Sequence, residues 1–385
     1  MLRRLFDSLT ARPAPAAAAE RPVFLVGHRT SLFATFAPQI SHRLVGGVAG
    51  VISDAAVQSG LAVTMAGRQV PFVTLDALVA RAAAGGVLVA HFFDDLDALW
   101  PLRWLAARPG VEVVDFLQVL HALDLPHTYA SMRAEHRHAT EAADALARAR
   151  AHLTDARSRA VFDARAAALA ALDRAPLMAA RAGAEWEYFG RGNPEACLEI
   201  ADDEVYVDVG AADGDTIDRF VAASGGRFAA IHAFEPTPGQ FAALHRRAER
   251  DPRIHARQAA VGETAGRIAL FDNPDNPYGS NALQDRPEHA IEVDCVRLDD
   301  VVPACTLLKM DVEGYECRVV RGAARLIARD RPNLAITCYH YPGDLEAILD
   351  GVLAIHAYRH VALRHYSAAL YDTVLLFSDR QGFGP

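Results

Sequence analysis

The sequence predicts an α/β protein: a smaller Rossmann-like α/β domain at the N-terminus, a helical connector, and a larger α/β domain at the C-terminus. Three observations carry this. Short apolar runs alternate with helical stretches over 22–120, an Ala/Arg-rich stretch without strand signals fills 121–187, and a second alternating series over 188–385 surrounds an acidic, glycine-rich turn. Alternation of this kind belongs to βαβ units, which build a parallel sheet with helices on both faces. A length of 385 residues suits two domains.

Composition narrows the class. A chain with 51% hydrophobic and 23% charged residues can bury two ordinary cores, which excludes disordered and collagen-like proteins. The net charge of −9 argues against a general nucleic-acid binder, which needs a basic surface to neutralise phosphates. No apolar run approaches the roughly 18 residues of a membrane span. Cys197, Cys295, Cys305, Cys317 and Cys338 show no C-x-x-C spacing, and their odd number reads as reduced thiols of a cytoplasmic protein. Of 39 basic residues only Lys309 is a lysine, which marks a position where a compact ammonium suits better than a guanidinium.

Residues 1–21 read as a flexible tail, because an Arg pair followed by an Ala/Pro run lacks the apolar core of a secretory signal. Strands are expected in VFLVG (Val23 to Gly27), GGVAGVIS (Gly46 to Ser53), VPFVT (Val70 to Thr74), the run from Gly86 to Phe93, and VEVVDF (Val111 to Phe116). HRTSLF follows Gly27, so the second and third glycines of a dinucleotide loop are missing and this domain reads as a scaffold. The stretch 121–187 is a strong helix former and offers a surface for a homodimer. His136, Arg137 and His138 lie too close in sequence to share one helix face as metal ligands. Trp186, Tyr188 and Phe189 form an aromatic cluster read as a docking contact.

The chemistry is expected in the C-terminal half. VYVDVGAADGDT (Val205 to Thr216) is a strand that ends in a turn with Gly210 and Gly214, where a ligand can approach the backbone closely. Asp208, Asp213 and Asp215 in that run disfavour a pyrophosphate and favour a cationic ligand, which points to S-adenosylmethionine rather than NAD. The next strand, FAAIHAFEP, ends in Glu235, placed to accept hydrogen bonds from ribose hydroxyls. Further strand signals lie in IHARQAAVG, GRIALF and AIEVDCVRLDD, with YGSNAL (Tyr278 to Leu283) in a loop. CTLLKMDVEGYE then carries Lys309, Asp311 and Glu313, and PNLAITCYH ends in Tyr339 and His340. Ligands of an open parallel sheet bind outside the carboxyl ends of its strands. Each of these residues singly is as readily a helix cap or a surface charge; their convergence from four strands is what indicates a site.

Residues 188–378 resemble the FkbM family of S-adenosylmethionine-dependent methyltransferases. The stretches that carry the resemblance are VDVGAADGDT, AFEP, LLKMDVEGYE followed by Arg321, Gly322 and Ala323, then CYHYPGDL and LRHYSAALYDTVLLF. The resemblance implies a seven-stranded class I methyltransferase sheet ending in an antiparallel hairpin, here Tyr358 to Tyr366 and Leu370 to Phe377. It also implies O-methylation of a sugar, glycan or related hydroxyl by in-line displacement at the cofactor's methyl carbon. On this reading S-adenosylmethionine is held by Asp208, Gly210, Asp213, Gly214, Asp215, Thr216, Glu235 and Asp311. Lys309, Glu313 and Tyr339 are assigned to the acceptor, with Lys309 and Glu313 alternatively holding the cofactor's amino-acid moiety. A positioned base helps an alcohol react near neutrality, and His340 is its first candidate, with Asp311 and His365 next. No metal is expected; Asp311, Glu313 and His340 are the residues that would hold one. Two other readings are a non-catalytic scaffold or sensor of methyltransferase shape and an NAD-dependent sugar oxidoreductase.

Overall fold

The computed structural model describes residues 21–58, 61–191, 198–271 and 290–380. The expected tail up to residue 20, Cys197 and the YGSNAL loop lie outside the described residues. Within them the chain divides into two compact units. The first takes the chain through Glu141 together with Ala164–Ala180 and Ala368–Leu370; the second takes Ala142–Asp163, Arg181–Ser367 and the chain from Tyr371. The stretch 121–187, expected as one connector, is therefore shared out: its helices Met132–Glu141 and Ala143–His152 belong to different units. Among the described residues no helix is long and apolar enough to cross a membrane.

The first unit holds a six-stranded sheet built from β1 (Val23–Val26), β2 (Gly50–Ile52), β3 (Ala62–Met65), β4 (Arg68–Val73), β5 (Val87–His91) and β6 (Val111–Asp115), in the order β3-β4-β2-β1-β5-β6. All neighbours are parallel except β3 and β4. That hairpin was not expected from the sequence. It closes through Ala66 (φ 49°) and Gly67 (φ 74°), both left-handed, as a tight two-residue hairpin connection requires. The core includes Phe24, Leu78, Val87, Val89 and Leu105.

Strand order reverses between β1 and β5, where a dinucleotide would sit in a working Rossmann domain. Here the crevice is closed. Thr30 Oγ1 donates to the carbonyls of Gly27 and Phe92, both at 2.9 Å, and a Cβ on Gly27 would come within 3.2 Å of the Phe92 backbone. Phe92 itself stacks on Phe116 with centroids 5.1 Å apart. Nearby, the fully buried Arg174 guanidinium donates to Asp115 Oδ2 at 2.9 Å and to the Phe93 carbonyl at 2.9 Å, and lies over the Phe116 ring.

The first strands of the second unit are the two-residue β7 (Phe189–Gly190) and β8 (Leu198–Glu199), which pair with each other. Its main strands are β9 (Val205–Val209), β10 (Ala230–Phe234), β11 (Ile254–Arg257), β15 (Leu307–Met310), β16 (Asn333–Thr337), β17 (His360–His365) and β18 (Thr373–Ser378). Between them β12 (Ala260–Val261), β13 (Gly266–Phe271) and β14 (Ala290–Val296) form a separate three-stranded sheet. The main sheet runs β11-β10-β9-β15-β16-β18-β17, parallel up to β16 and antiparallel over β18 and β17. Strand β9 is central because both its faces are apolar: Tyr206, Val207 and Val209 are all buried. On one face Tyr206 stacks on Phe220 of the helix Asp215–Ser224 at 4.6 Å, and Phe189 meets both edge-on. These aromatic contacts fix that helix, and hence the loop before it, against the sheet.

Candidate active site

The strand order reverses between β9 and β15, and a cleft with about 260 Å³ of internal space lies at their carboxyl ends. Its walls come entirely from the second unit. On the β9 side the chain turns through Gly210 (φ 76°) and Ala212 (φ 45°) into the helix Asp215–Ser224. A Cβ on Gly210 would run into the Asp311 carbonyl, so glycine is the side chain this turn can hold. Glu235, at the end of β10, accepts from the Ala212 amide at 3.0 Å through Oε2 and from the Thr237 amide and hydroxyl at 2.8 and 2.6 Å through Oε1. A carboxylate has about four acceptor positions, so capacity remains on the cleft side. Burial pushes the Glu235 carboxyl above its ordinary range, against these hydrogen bonds.

Behind the loop lies a buried ionic group. Asp208 is fully buried and accepts from Thr216 Oγ1 at 2.5 Å; Lys309 Nζ stands 3.1 Å from its Oδ1 and donates to the Gly210 carbonyl at 2.7 Å. Burial opposes the Lys309 charge, but Asp208 and Asp311 outweigh it and raise its pKa. Asp208 thus supports the loop from beneath and does not line the cleft.

The opposite end of the cleft is acidic. Asp311 accepts from the Tyr188 hydroxyl at 2.9 Å and from Thr337 Oγ1 at 3.2 Å. Glu187, Glu313 and Asp372 also line it, and Glu187 Oε2 accepts from Arg219 at 3.1 Å. Burial, reinforced by Glu187 and Asp311, pushes Asp372 up to about 8. Tyr188, Glu313 and Asp372 all have positive φ, at 66°, 57° and 57°. With Ala212, four non-glycine residues are held in this sparsely populated region around one cleft, a mark of a functional site.

Of the residues expected from sequence, Gly210, Asp215, Thr216, Glu235, Lys309, Asp311 and Glu313 line the cleft. Asp208, Asp213, Gly214, Tyr339, His340 and His365 do not. Asp213 turns to Arg247, 3.4 Å away, and Gly214 opens the helix as its cap. His365 is fully buried, with Nδ1 3.0 Å from Thr373 Oγ1, too deep to meet an acceptor. His340 is 1% exposed and sits behind Asp311 and Glu313. Burial disfavours its charge, but Glu316 and Glu313 override this and hold its pKa well above the usual histidine value. Buried behind these two carboxylates, it is not part of the cleft wall where an acceptor hydroxyl would meet a base. Glu187 and Asp372 are among the cleft residues that the sequence did not reveal, and Tyr188, read there as part of a docking contact, instead lines the cleft and bonds Asp311.

A seven-stranded sheet whose last two strands are antiparallel, with this cleft at the reversal point, has the fold of a class I methyltransferase. Residues 208–361 match the family model described as the methyltransferase FkbM domain. That stretch is an FkbM methyltransferase domain. Among solved structures, methyltransferase FkbM from Methylobacillus flagellatus KT matches with a TM-score of 0.74 at 22% identity, over 93% of this chain and 90% of that one. The fold is thus shared along both units. A fibrillarin from Aeropyrum pernix, solved with natively bound S-adenosyl-L-methionine, matches 47% of this chain and 70% of its own at 14% identity and a TM-score of 0.31. No curated protein matches the chain.

Proposed function

We propose that the second unit is an S-adenosylmethionine-dependent O-methyltransferase acting on a hydroxyl of a sugar, glycan or related metabolite. The observation that carries the reading is Glu235, a buried carboxylate at the end of the second strand that shapes the glycine loop and keeps acceptor capacity toward the cleft. S-adenosylmethionine fits this setting: Glu235 would take ribose hydroxyls, the backbone at Gly210 admits close approach, and the acidic end suits a sulfonium. When bound, the cofactor supplies a methyl group already activated for transfer.

The chain's own residues then have separate tasks. Lys309 and Asp208 hold the Gly210 loop in shape, so the cofactor meets a preformed surface. Tyr188 and Thr337 orient Asp311 for hydrogen bonding to an acceptor hydroxyl. Asp372, with a pKa of about 8, is the group suited to take the hydroxyl proton at its carboxylate, because a base matched to the working pH serves best. The acidic wall favours neutral polyols over phosphorylated or carboxylated acceptors. The four described cysteines are free thiols, and a cytoplasmic location is part of this proposal.

Calorimetry with S-adenosylmethionine, followed by transfer of a labelled methyl group to a panel of sugars and glycan fragments, tests the reading. Binding heat and label on oxygen support it. Absence of binding heat favours the scaffold or sensor, and label on nitrogen overturns the O-methyl assignment. The oxidoreductase alternative is disfavoured by the closed crevice at Gly27.

A further inference from the structure

Behind the acidic end of the cleft lies a cluster that methyl transfer by itself does not require. Asp311 and Glu313 line the cleft, His340 sits behind them, and Glu316 sits behind His340. His340 Nε2 is 3.5 Å from Asp311 Oδ1 and 3.2 Å from Glu313 Oε2, and one ligand atom from each of the three residues lies within 4.8 Å of the others. Neighbouring ligands of an octahedral ion with bonds of about 2.1 Å stand about 3 Å apart, so only small adjustments separate this arrangement from a coordination set.

We propose that Asp311, Glu313 and His340 form a site for one divalent cation of the Mg²⁺ or Mn²⁺ kind, open to the acceptor side of the cleft. Two carboxylates and one imidazole supply half of an octahedral shell, and the remaining positions face the space where an acceptor hydroxyl would enter. Bound there, the ion would act as a Lewis acid toward that hydroxyl.

Independent features on the far side of the ring support the assignment. His340 Nδ1 stands 3.2 Å from Glu316 Oε1, and Glu316 is 1% exposed. That oxygen is itself fixed by the Val312 amide at 3.0 Å and Thr337 Oγ1 at 3.1 Å. A carboxylate that orients the outer ring nitrogen of a metal-binding histidine is a recurring device of such sites. Glu316 Oε2, buried, has no hydrogen-bond donor among the described residues. Three carboxylates around one imidazole leave a surplus of at least two negative charges. The nearby cations do not offset it: Lys309 is engaged with Asp208 and Gly210, and Arg219 with Glu187. A surplus of one sign gathered at a partly buried cluster is costly, and a divalent ion offsets it. Glu316, His340 and Asp344 form a second candidate set on the other ring nitrogen, but neither carboxylate lines the cleft.

The proposal is independent of the methyl donor and is tested without one. Mn²⁺ is titrated into the full chain, and loss of the free-ion electron paramagnetic resonance signal is followed. The expected result is one bound Mn²⁺ per chain, weakened at least tenfold by D311N and by E313Q and unchanged by D344N. E316Q, which alters the group that orients His340 and leaves the three ligands in place, is expected to weaken binding about 10- to 100-fold. E313Q changes a residue on the cleft wall, so it stays informative if E316Q fails to fold. No Mn²⁺ uptake by the wild type, uptake unaffected by E313Q and D311N, or uptake lost only in D344N would each overturn the assignment. Failure of S-adenosylmethionine to bind in calorimetry would refute the proposed function and leave this result standing.

Discussion

The Lys309 ammonium donates a 2.7 Å hydrogen bond to the carbonyl of Gly210, joining the end of one central strand to the loop that follows its neighbour. With Asp208 3.1 Å away, it is a buried cation whose partners are a carboxylate and a backbone dipole. Only a short, compact head group fits between them, which accounts for the one lysine in a chain that otherwise uses arginine.

Replacing that lysine tests the explanation. Lys309→Arg brings a larger, planar head into a filled space, and Lys309→Met leaves Asp208 buried without a counter-charge. Each is expected to lower stability, by about 1–3 kcal/mol for arginine and about 3–5 kcal/mol for methionine. Urea denaturation measures both. An arginine variant as stable as the wild type would show that the space is not limiting.

The loop itself makes a second test. Gly210→Ala adds a Cβ against the Asp311 carbonyl at a φ of 76°, so the loop must shift. Stability is expected to fall by more than about 1 kcal/mol. Glu235→Gln keeps the shape and removes the charge, and S-adenosylmethionine affinity is expected to fall about tenfold, equal to about 1.4 kcal/mol. Calorimetry on both variants separates loss of loop shape from loss of the ribose acceptor.

Asp372 gives a pH prediction with a definite sign. Its pKa of about 8 in the fold lies above the usual 3.8, so the folded state holds a proton that the unfolded chain releases. The stability it contributes is complete below pH 3.8 and is lost as pH rises toward 8. Asp372→Asn removes this dependence and tolerates the left-handed backbone. The variant is expected to be more stable than wild type at pH 9, by about 2–4 kcal/mol, with the gap narrowing as pH falls to 5. Thermal melts across that range would reveal a constant gap if the carboxyl titrates normally.

In the first unit, Arg174 and Asp115 form a pair with side chains 0% and 2% exposed. Arg174→Met strands the aspartate in the interior and is expected to destabilise that unit by about 3–5 kcal/mol. Hydrogen exchange on β5 and β6 reports the loss locally, and unchanged protection there would count against a structural role for the pair.

The strands that form the two sheets were largely legible because buried parallel strands are short apolar runs, and β9, β10 and β15 end in the glycine and carboxylates that line the cleft. The hairpin of β3 and β4 was not, because Ala62–Met65 is mostly exposed and carries no apolar run. Asp311 and Glu313 could be read from their place after a strand. Glu187 and Asp372 could not: one precedes the sheet and the other lies in the turn between β17 and β18, and only long-range pairing of β18 with β16 brings Asp372 to the cleft. His340 shows the complementary limit. Its position after β16 is visible in sequence, but the three carboxylates around it come from another segment, the turn and helix that follow β15.

Lys309 is 2% exposed and is the chain's sole lysine. Reagents that acylate side-chain amines therefore find no accessible target on the native protein, and surface coupling or dye attachment through lysine will fail. The same scarcity is useful: acylation of Lys309, read by mass spectrometry, becomes a single-site reporter of the moment the domain opens.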